Sequence, residues 1–178
     1  MANAKVYVLA DLHFGHRGVV RFRPQFRTVD EHDNYIMKKI LQTCGKRSTL
    51  WLLGDCFFTE DSLKYLETLR EAIGTIHLVL GNHCSESGAG QANIKRMVNE
   101  KLVDKIHGLV NYKGCWMTHA PIHDSELRGK YCVYGHTHSV VVDDPRYFGV
   151  SCEQINYTPV EFNKIKQILD ERNPSEGY

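Results

Sequence analysis

The chain lacks the features that mark several large protein classes. No apolar stretch approaches the ~18–20 residues needed to cross a bilayer, so no membrane span is expected. The N-terminus runs almost at once into a strand pattern and has no signal-peptide layout, so a cytoplasmic protein is expected. None of the six cysteines forms a C-x-x-C pair, which excludes zinc-ribbon and thioredoxin motifs. Without a secretory leader they are expected as reduced thiols. Net charge is almost absent: 22 basic residues against 21 acidic ones give +1, so the molecule as a whole does not attract polyanions. Repeats, linkers and low-complexity tracts are missing too. The 178 residues read as one domain, 1–178, long enough to bury a core.

What the chain has in plenty is histidine, ten in all. Their placement carries the argument. Five short apolar runs each end at a residue able to bind a metal. VYVLA (6–10) leads into Asp11-Leu12-His13, TLWLL (49–53) into Gly54-Asp55, and IHLVL (76–80) into Gly81-Asn82-His83. CWMT (115–118) leads into His119, and YCVY (131–134) into Gly135-His136-Thr137-His138. Runs of this length and composition read as buried strands. Ligands collect at the carboxyl ends of strands in open α/β sheets. Three exits pass through glycine, which suits a sharp turn close to a site.

Between the runs, periodicity predicts helices at 31–43 and 62–72, a glycine- and serine-rich loop at 85–90, and a helix at 91–100. Beyond 102 the pattern changes to short strands, at 102–110, 115–118, 131–134, 139–142, 146–151 and 155–158, closed by a helix from Pro159 to about 171. Two packed sheets with helices outside are expected.

Asp11, His13, Asp55, Asn82, His119, His136 and His138 make seven candidate ligands of mixed oxygen and nitrogen type. A structural zinc takes four, so the set suits two adjacent metals. Imidazole with carboxylate favours manganese, iron, zinc, cobalt or nickel over magnesium or calcium; manganese is taken as the first choice. Such a pair can clamp a phosphoryl group and supply an acidified hydroxide as nucleophile.

The series Asp-x-His, Gly-Asp, Gly-Asn-His, His and Gly-His-Thr-His, in this order over residues 6 to 138, resembles the calcineurin-like metallophosphoesterase family, and in particular its small bacterial and phage-type members. The resemblance implies an α/β fold, a four-layer α/β/β/α sandwich with a dinuclear centre. It implies Asp11, His13, Asp55 and His138 on one metal, and Asp55, Asn82, His119 and His136 on the other, with Asp55 bridging. It places His83 as the catalytic residue over the leaving-group oxygen. Many members carry Asp or Glu after Gly-Asn-His; Cys84 stands there instead. Another carboxylate, Glu86 or Asp124, takes its orienting role, or His83 is a weaker acid.

Arg17, Arg21, Arg23 and Arg27 lie within eleven residues free of acid, with Phe22 and Phe26 between them. Arginine forks match phosphate, and an aromatic face can hold a base; the alternative is a solvated basic loop with both Phe packed inward. His16 and His123 either line the pocket with Arg17, Arg21 and Arg23 or bond backbone in turns. His77 is expected to be structural, and His32 and His107 solvated or at helix ends. Cys56 and Cys84 read first as small buried hydrophobes. The expected activity is hydrolysis of phosphodiesters in small or cyclic nucleotides. A phosphomonoesterase, including a protein phosphatase, stays open. A non-catalytic scaffold, like the retromer subunit of this fold, is disfavoured by the complete ligand set. A DNA-degrading nuclease is disfavoured by the short stretch after His138. No obligate protein partner is evident.

Overall fold

The computed structural model describes residues 4–86 and 88–173. Three apolar runs and a short polar edge strand lie side by side in parallel: β1 (Lys5–Leu9), β2 (Ser48–Leu53), β3 (Thr75–Val79) and, at the edge, β4 (Lys105–His107). A second sheet contains β5 (Val110–Tyr112), β6 (Cys115–Thr118), β7 (Tyr131–Tyr134) and β8 (Tyr147–Gly149). Its order is β5-β6-β7-β8, with an antiparallel β5/β6 hairpin and the rest parallel. The two-residue β9 (Val160–Glu161) pairs antiparallel with β1, giving the first sheet the order β4-β3-β2-β1-β9.

The first sheet is covered on both faces, which is why its strands are continuously apolar. Leu9, Leu50, Leu52, Ile76 and Leu78 pack against three helices. These are α1 (Val29–Thr43) through Ile36, Met37 and Ile40, α2 (Leu63–Ala72) through Leu63, Leu66 and Leu69, and, beyond the single turn α3 (His83–Glu86), α4 (Gly88–Asn99) through Met97. The alternate residues Val8, Ala10, Trp51, Leu53 and Val79 face Cys115, Met117 and Val133 of the second sheet. Into the same intersheet core α5 (Phe162–Arg172) sends Phe162, Ile165 and Leu169. The outer face of the second sheet carries Trp116, Cys132, Tyr134 and Tyr147 under Ile122 and Leu127, from a segment holding one short 3-10 turn, Asp124–Glu126. Two sheets flanked by helices in one domain is the expected architecture, with a thin outermost layer over the second sheet.

Several boundaries differ from expectation, each for a local reason. The 102–110 run divides into β4 and β5, which belong to different sheets. Residues 139–142 form no strand: the Gln154 side-chain amide donates to the carbonyls of His138 and Val140, and Thr137 Oγ1 donates to Val140 O. Those bonds replace a ladder, and Val140 and Val141 stay exposed. Residues 155–158 are a turn, because Asn156 and Tyr157 adopt φ of +49° and +57°, outside the strand region. The expected 85–90 loop is helical among its described residues. A Cβ on Gly90 would lie 2.6 Å from His83 O, so this glycine serves close helix packing rather than a turn. His32, expected to be solvated or at a helix end, lies in the first turn of α1 and is fully buried.

Candidate metal centre

The strand exits stay bonded to one another after the sheet ends. Asp11 N donates to Gly54 O (3.1 Å), His13 N to Asp55 O (3.0 Å) and Phe14 N to Cys56 O (2.8 Å). Ala10 N reaches Val150 O (2.9 Å), and Gly135 N reaches His119 O (2.8 Å). The exits of both sheets therefore share one edge of the molecule. Five candidate ligands turn there in left-handed backbone: Asp11 (φ +58°), His13 (+54°), Asp55 (+49°), His136 (+71°) and His138 (+50°). Non-glycine residues in this region cost about 1–3 kcal/mol each and collect at functional sites. Space is made by glycine: a Cβ on Gly81 would lie 2.1 Å from Asp55 Oδ1, and one on Gly54 2.3 Å from His119 Nδ1.

Two clusters result. In Asp11, His13 and His138 one ligand atom from each lies within 4.8 Å of the others, and the same holds for Asp55, His119 and His136. Asn82 joins the second, its Oδ1 3.0 Å from His119 Nε2. That amide is oriented by its Nδ2, which donates to Glu86 Oε1 (3.1 Å). His119 Nδ1 faces the carbonyl of Leu53 at 2.9 Å and must donate to it. Its Nε2 then meets Asp55 Oδ2 at 3.2 Å, Asn82 Oδ1 and His136 Nδ1 at 3.2 Å. Acceptors crowded this way repel unless a proton or a cation sits among them.

The first cluster makes the same point differently. Asp11 Oδ1 and His13 Nε2 are buried with no hydrogen-bond partner. A buried polar atom left unpaired is costly, and a cation would satisfy both. Burial holds the His13 ring well below the usual histidine range, helped by Arg23 and His138. A neutral ring has the lone pair a metal needs. Burial raises the Asp11 carboxyl, opposed by His119. The donor set, with buried orphan atoms in one cluster and converging acceptors in the other, fits divalent metal. Asp55 groups with His119 and His136, and its Oδ1 also accepts from His83 N (3.1 Å).

His83 opens α3 and is exposed beside the centre, its Nε2 3.9 Å from Asp55 Oδ2. Its Nδ1 lies 3.1 Å from Glu86 Oε2, one helical turn on. Asp124 is elsewhere, beside His123 and Arg146. Of the two carboxylates considered for the role Cys84 cannot fill, Glu86 is the one in reach. Cys84 Sγ accepts from Gly81 N (3.4 Å). Burial raises both the Cys84 and the Cys56 thiols, so neither is a thiolate at neutral pH.

The residues expected around substrate separate. His16 is at the site edge, its ring 5.6 Å from that of His13. Arg17 and Arg21 are exposed on the following loop. Arg23 is 1% exposed and bonds inward, so its guanidinium is not available to substrate. The two Phe residues also divide, with Phe26 buried and Phe22 79% exposed. His123 caps the 124–126 turn by accepting from Ser125 N, a local role with no bond to either cluster. Two neighbours of the site had no sequence signal. Phe58 lies 4.7 Å, 4.5 Å and 4.7 Å from the rings of His13, His16 and His83. Glu153 reaches His138 Nδ1 at 3.0 Å. The Glu153 carboxyl falls to about 2: burial opposes, but the His138 bond and Arg23 dominate. Glu153 arrives from a turn nineteen residues past the end of the 131–134 run, with no periodicity or motif to point to it.

Residues 5–152 match the family model for the calcineurin-like phosphoesterase superfamily domain. An uncharacterised protein of Methanocaldococcus jannaschii is 24% identical over 96% of this chain and 94% of its own length. The gene 66 protein of Mycobacterium phage L5 is 32% identical over 45% of this chain and 40% of its own length. The crystal structure of a protein of unknown function from Aquifex aeolicus covers 93% of this chain and 100% of its own, with a TM-score of 0.71 and 21% identity. That likeness shows the fold.

Proposed function

The chain belongs to the calcineurin-like phosphoesterase superfamily, and on that premise we propose that it is a dinuclear metal-dependent phosphoesterase acting on phosphodiesters of small or cyclic nucleotides. The observation that carries the reading is the pair of adjacent ligand clusters, Asp11/His13/His138 and Asp55/His119/His136. When bound, two divalent ions, manganese by preference, would offset charge on the phosphoryl oxygens and acidify water for attack. The chain's own residues supply the rest. Asp55, grouped with His119 and His136, would be the carboxylate shared by both ions. His83, exposed at the rim and held by Glu86, donates a proton or hydrogen bond to the leaving oxygen. Phe58 packs its ring against His13, His16 and His83.

Two features favour a diester with an organic group on each side. Arg17, Arg21 and Phe22 are exposed on the loop following His13 and His16. On the other flank a groove of about 460 Å³ is lined by Leu80, Leu109 and Ile122 together with Asn82, His119 and His136. Among the described residues no helix is long and apolar enough to cross a membrane, and we place the protein in the cytoplasm without an obligate protein partner. The test is a screen of metal-reconstituted chain against nucleotide monoesters, linear diesters and cyclic diesters. Turnover of diesters above monoesters is expected. Turnover of monoesters alone removes the diester preference. No turnover by a chain carrying two metals removes the enzymatic reading.

A further inference from the structure

Behind the first ligand cluster runs a chain of four side chains that belong to neither cluster. Gly15 N donates to Asp33 Oδ2 (2.9 Å), and Asp33 Oδ1 lies 2.7 Å from His32 Nδ1. His32 Nε2 is 2.6 Å from Arg23 Nη1. A guanidinium only donates, so Nε2 accepts and the His32 proton sits on Nδ1, facing Asp33. Arg23 donates Nη2 to Asp11 O (2.7 Å), Nη1 toward Leu12 O (3.4 Å) and Nε to Glu153 Oε1 (2.8 Å). The same Glu153 oxygen accepts from His138 Nδ1 (3.0 Å).

The chain acts on the first cluster in two ways. Its grip on the Asp11 and Leu12 carbonyls holds the β1 exit in the bend that sets Asp11 and His13 at positive φ. Such backbone persists only where its surroundings over-determine it. Glu153 holds the Nδ1 proton of His138, leaving the Nε2 lone pair for the cluster, as carboxylates behind metal-binding histidines do. The second cluster is supported otherwise: His119 is held by a backbone carbonyl and Asn82 by Glu86, and a hydrogen bond from His136 N to Asp11 Oδ2 (2.8 Å) ties it to the first cluster without passing through Arg23 or Glu153. Among the described residues no hydrogen bond joins Arg23 or Glu153 to Asp55, Asn82, His119 or His136.

We propose that Arg23 and Glu153 are positioning residues for one metal of the two: they pre-set the Asp11/His13/His138 half-site and leave the Asp55/His119/His136 half-site unaffected. This rests on the reading of both clusters as metal sites. Binding alone tests it, with no substrate. The whole chain, stripped by chelator, is titrated with Mn²⁺ in a calorimeter and its metal content is counted by elemental analysis. The unaltered chain takes two ions. Glu153→Gln weakens one site by about 10–100-fold, the usual loss when such a partner is removed, and leaves the other unchanged. Glu153→Asp keeps the charge beside Arg23 but draws it back from His138, and gives the same one-site loss. Arg23→Lys keeps the charge but cannot span four acceptors, and follows suit. Unchanged affinity at both sites in a Glu153 variant that melts like the unaltered chain overturns the proposal. So does an equal loss at both sites, or loss of fold in both Glu153 variants, since either makes the pair a general support. An unaltered chain that binds fewer than two ions overturns the metal-centre reading first.

Discussion

At the scale of single residues, the centre combines strained backbone with partners that fix side-chain direction. Asp55 is closely held by its neighbours: 3% exposed, at φ +49°, packed against Gly81 and accepting from His83 N. Asp55→Ala is expected to abolish turnover and to lower bound metal, as read by elemental analysis. A variant fully active after exhaustive chelation sinks the metal dependence altogether. His83 stands apart, because it lies outside both clusters. His83→Ala is expected to lower kcat by about 10²–10⁴-fold, the range for a general acid–base group, at unchanged metal content. The loss shrinks on p-nitrophenyl esters, whose leaving group needs little protonation. Glu86→Gln moves in the same direction but less far, because the Glu86 side chain is 54% exposed and water screens the pair. kcat measured over leaving groups of graded pKa decides it: an unchanged slope in Glu86→Gln leaves His83 without a positioning carboxylate.

At the scale of elements, the strands bring the candidate ligands to one edge and the glycines let them meet. Gly81→Ala places a methyl group within 2.1 Å of Asp55 Oδ1. The exit of β3 or the Asp55 side chain must then move. Metal affinity is expected to fall while the circular dichroism spectrum is retained, and an unchanged affinity means the exit yields freely. The sheet itself depends on its double-sided burial. Leu52 is fully buried between β1 and β3, facing the α1/α2 side. Leu52→Ala is expected to cost about 2–5 kcal/mol, the range for a buried leucine that leaves a cavity, measured by urea unfolding. A loss well under 1 kcal/mol means the helices close over the gap.

At the scale of the whole molecule, stability is expected to fall on mild acidification. His77 and His107 lie 3.2 Å apart, Nδ1 to Nε2, and both rings stack on Trp51 at 4.3 Å and 5.2 Å. A bond between two imidazoles needs at least one neutral ring. Burial lowers the affinity of both for protons; at His77 the neighbouring His107 and Lys105 add to it while Asp104 opposes, and at His107 Lys105 adds. With the folded values below the unfolded value of 6.5, the unfolded chain binds more protons as pH drops. Stability is therefore full above 6.5 and declines as pH falls from there through the lowered folded values. The urea midpoint of the metal-free chain should drop between pH 7.5 and 5.5, and the drop should be smaller in His77→Gln. An equal drop in both traces the loss to other groups.

The amino-acid sequence alone determined the strand runs of the first sheet, the helical faces of α1, α2 and α5, and the ligand types waiting at the strand ends. These follow from local rules: short β-branched and aliphatic runs are buried strands, and a leucine every third or fourth residue is a helix face. The chain order of Asp11, Asp55, Asn82, His119 and His136 was legible because a parallel sheet delivers every strand end to the same edge. Tertiary structure decided what depends on approach from elsewhere in the chain. It split 102–110 between two sheets, let Gln154 and Thr137 take the Val140 carbonyl that a 139–142 strand would have used, and buried Arg23 behind the β1 exit instead of leaving it for substrate. It brought Glu86 to His83 across one turn of a helix that serine and glycine content had marked as loop, and it set Phe58 and Glu153 beside the centre. An arginine in an acid-free segment reads the same whether its partners are phosphate oxygens or the carbonyls of Asp11 and Leu12. Only the folded chain, by placing Glu153 within 2.8 Å of its Nε, settles which it meets.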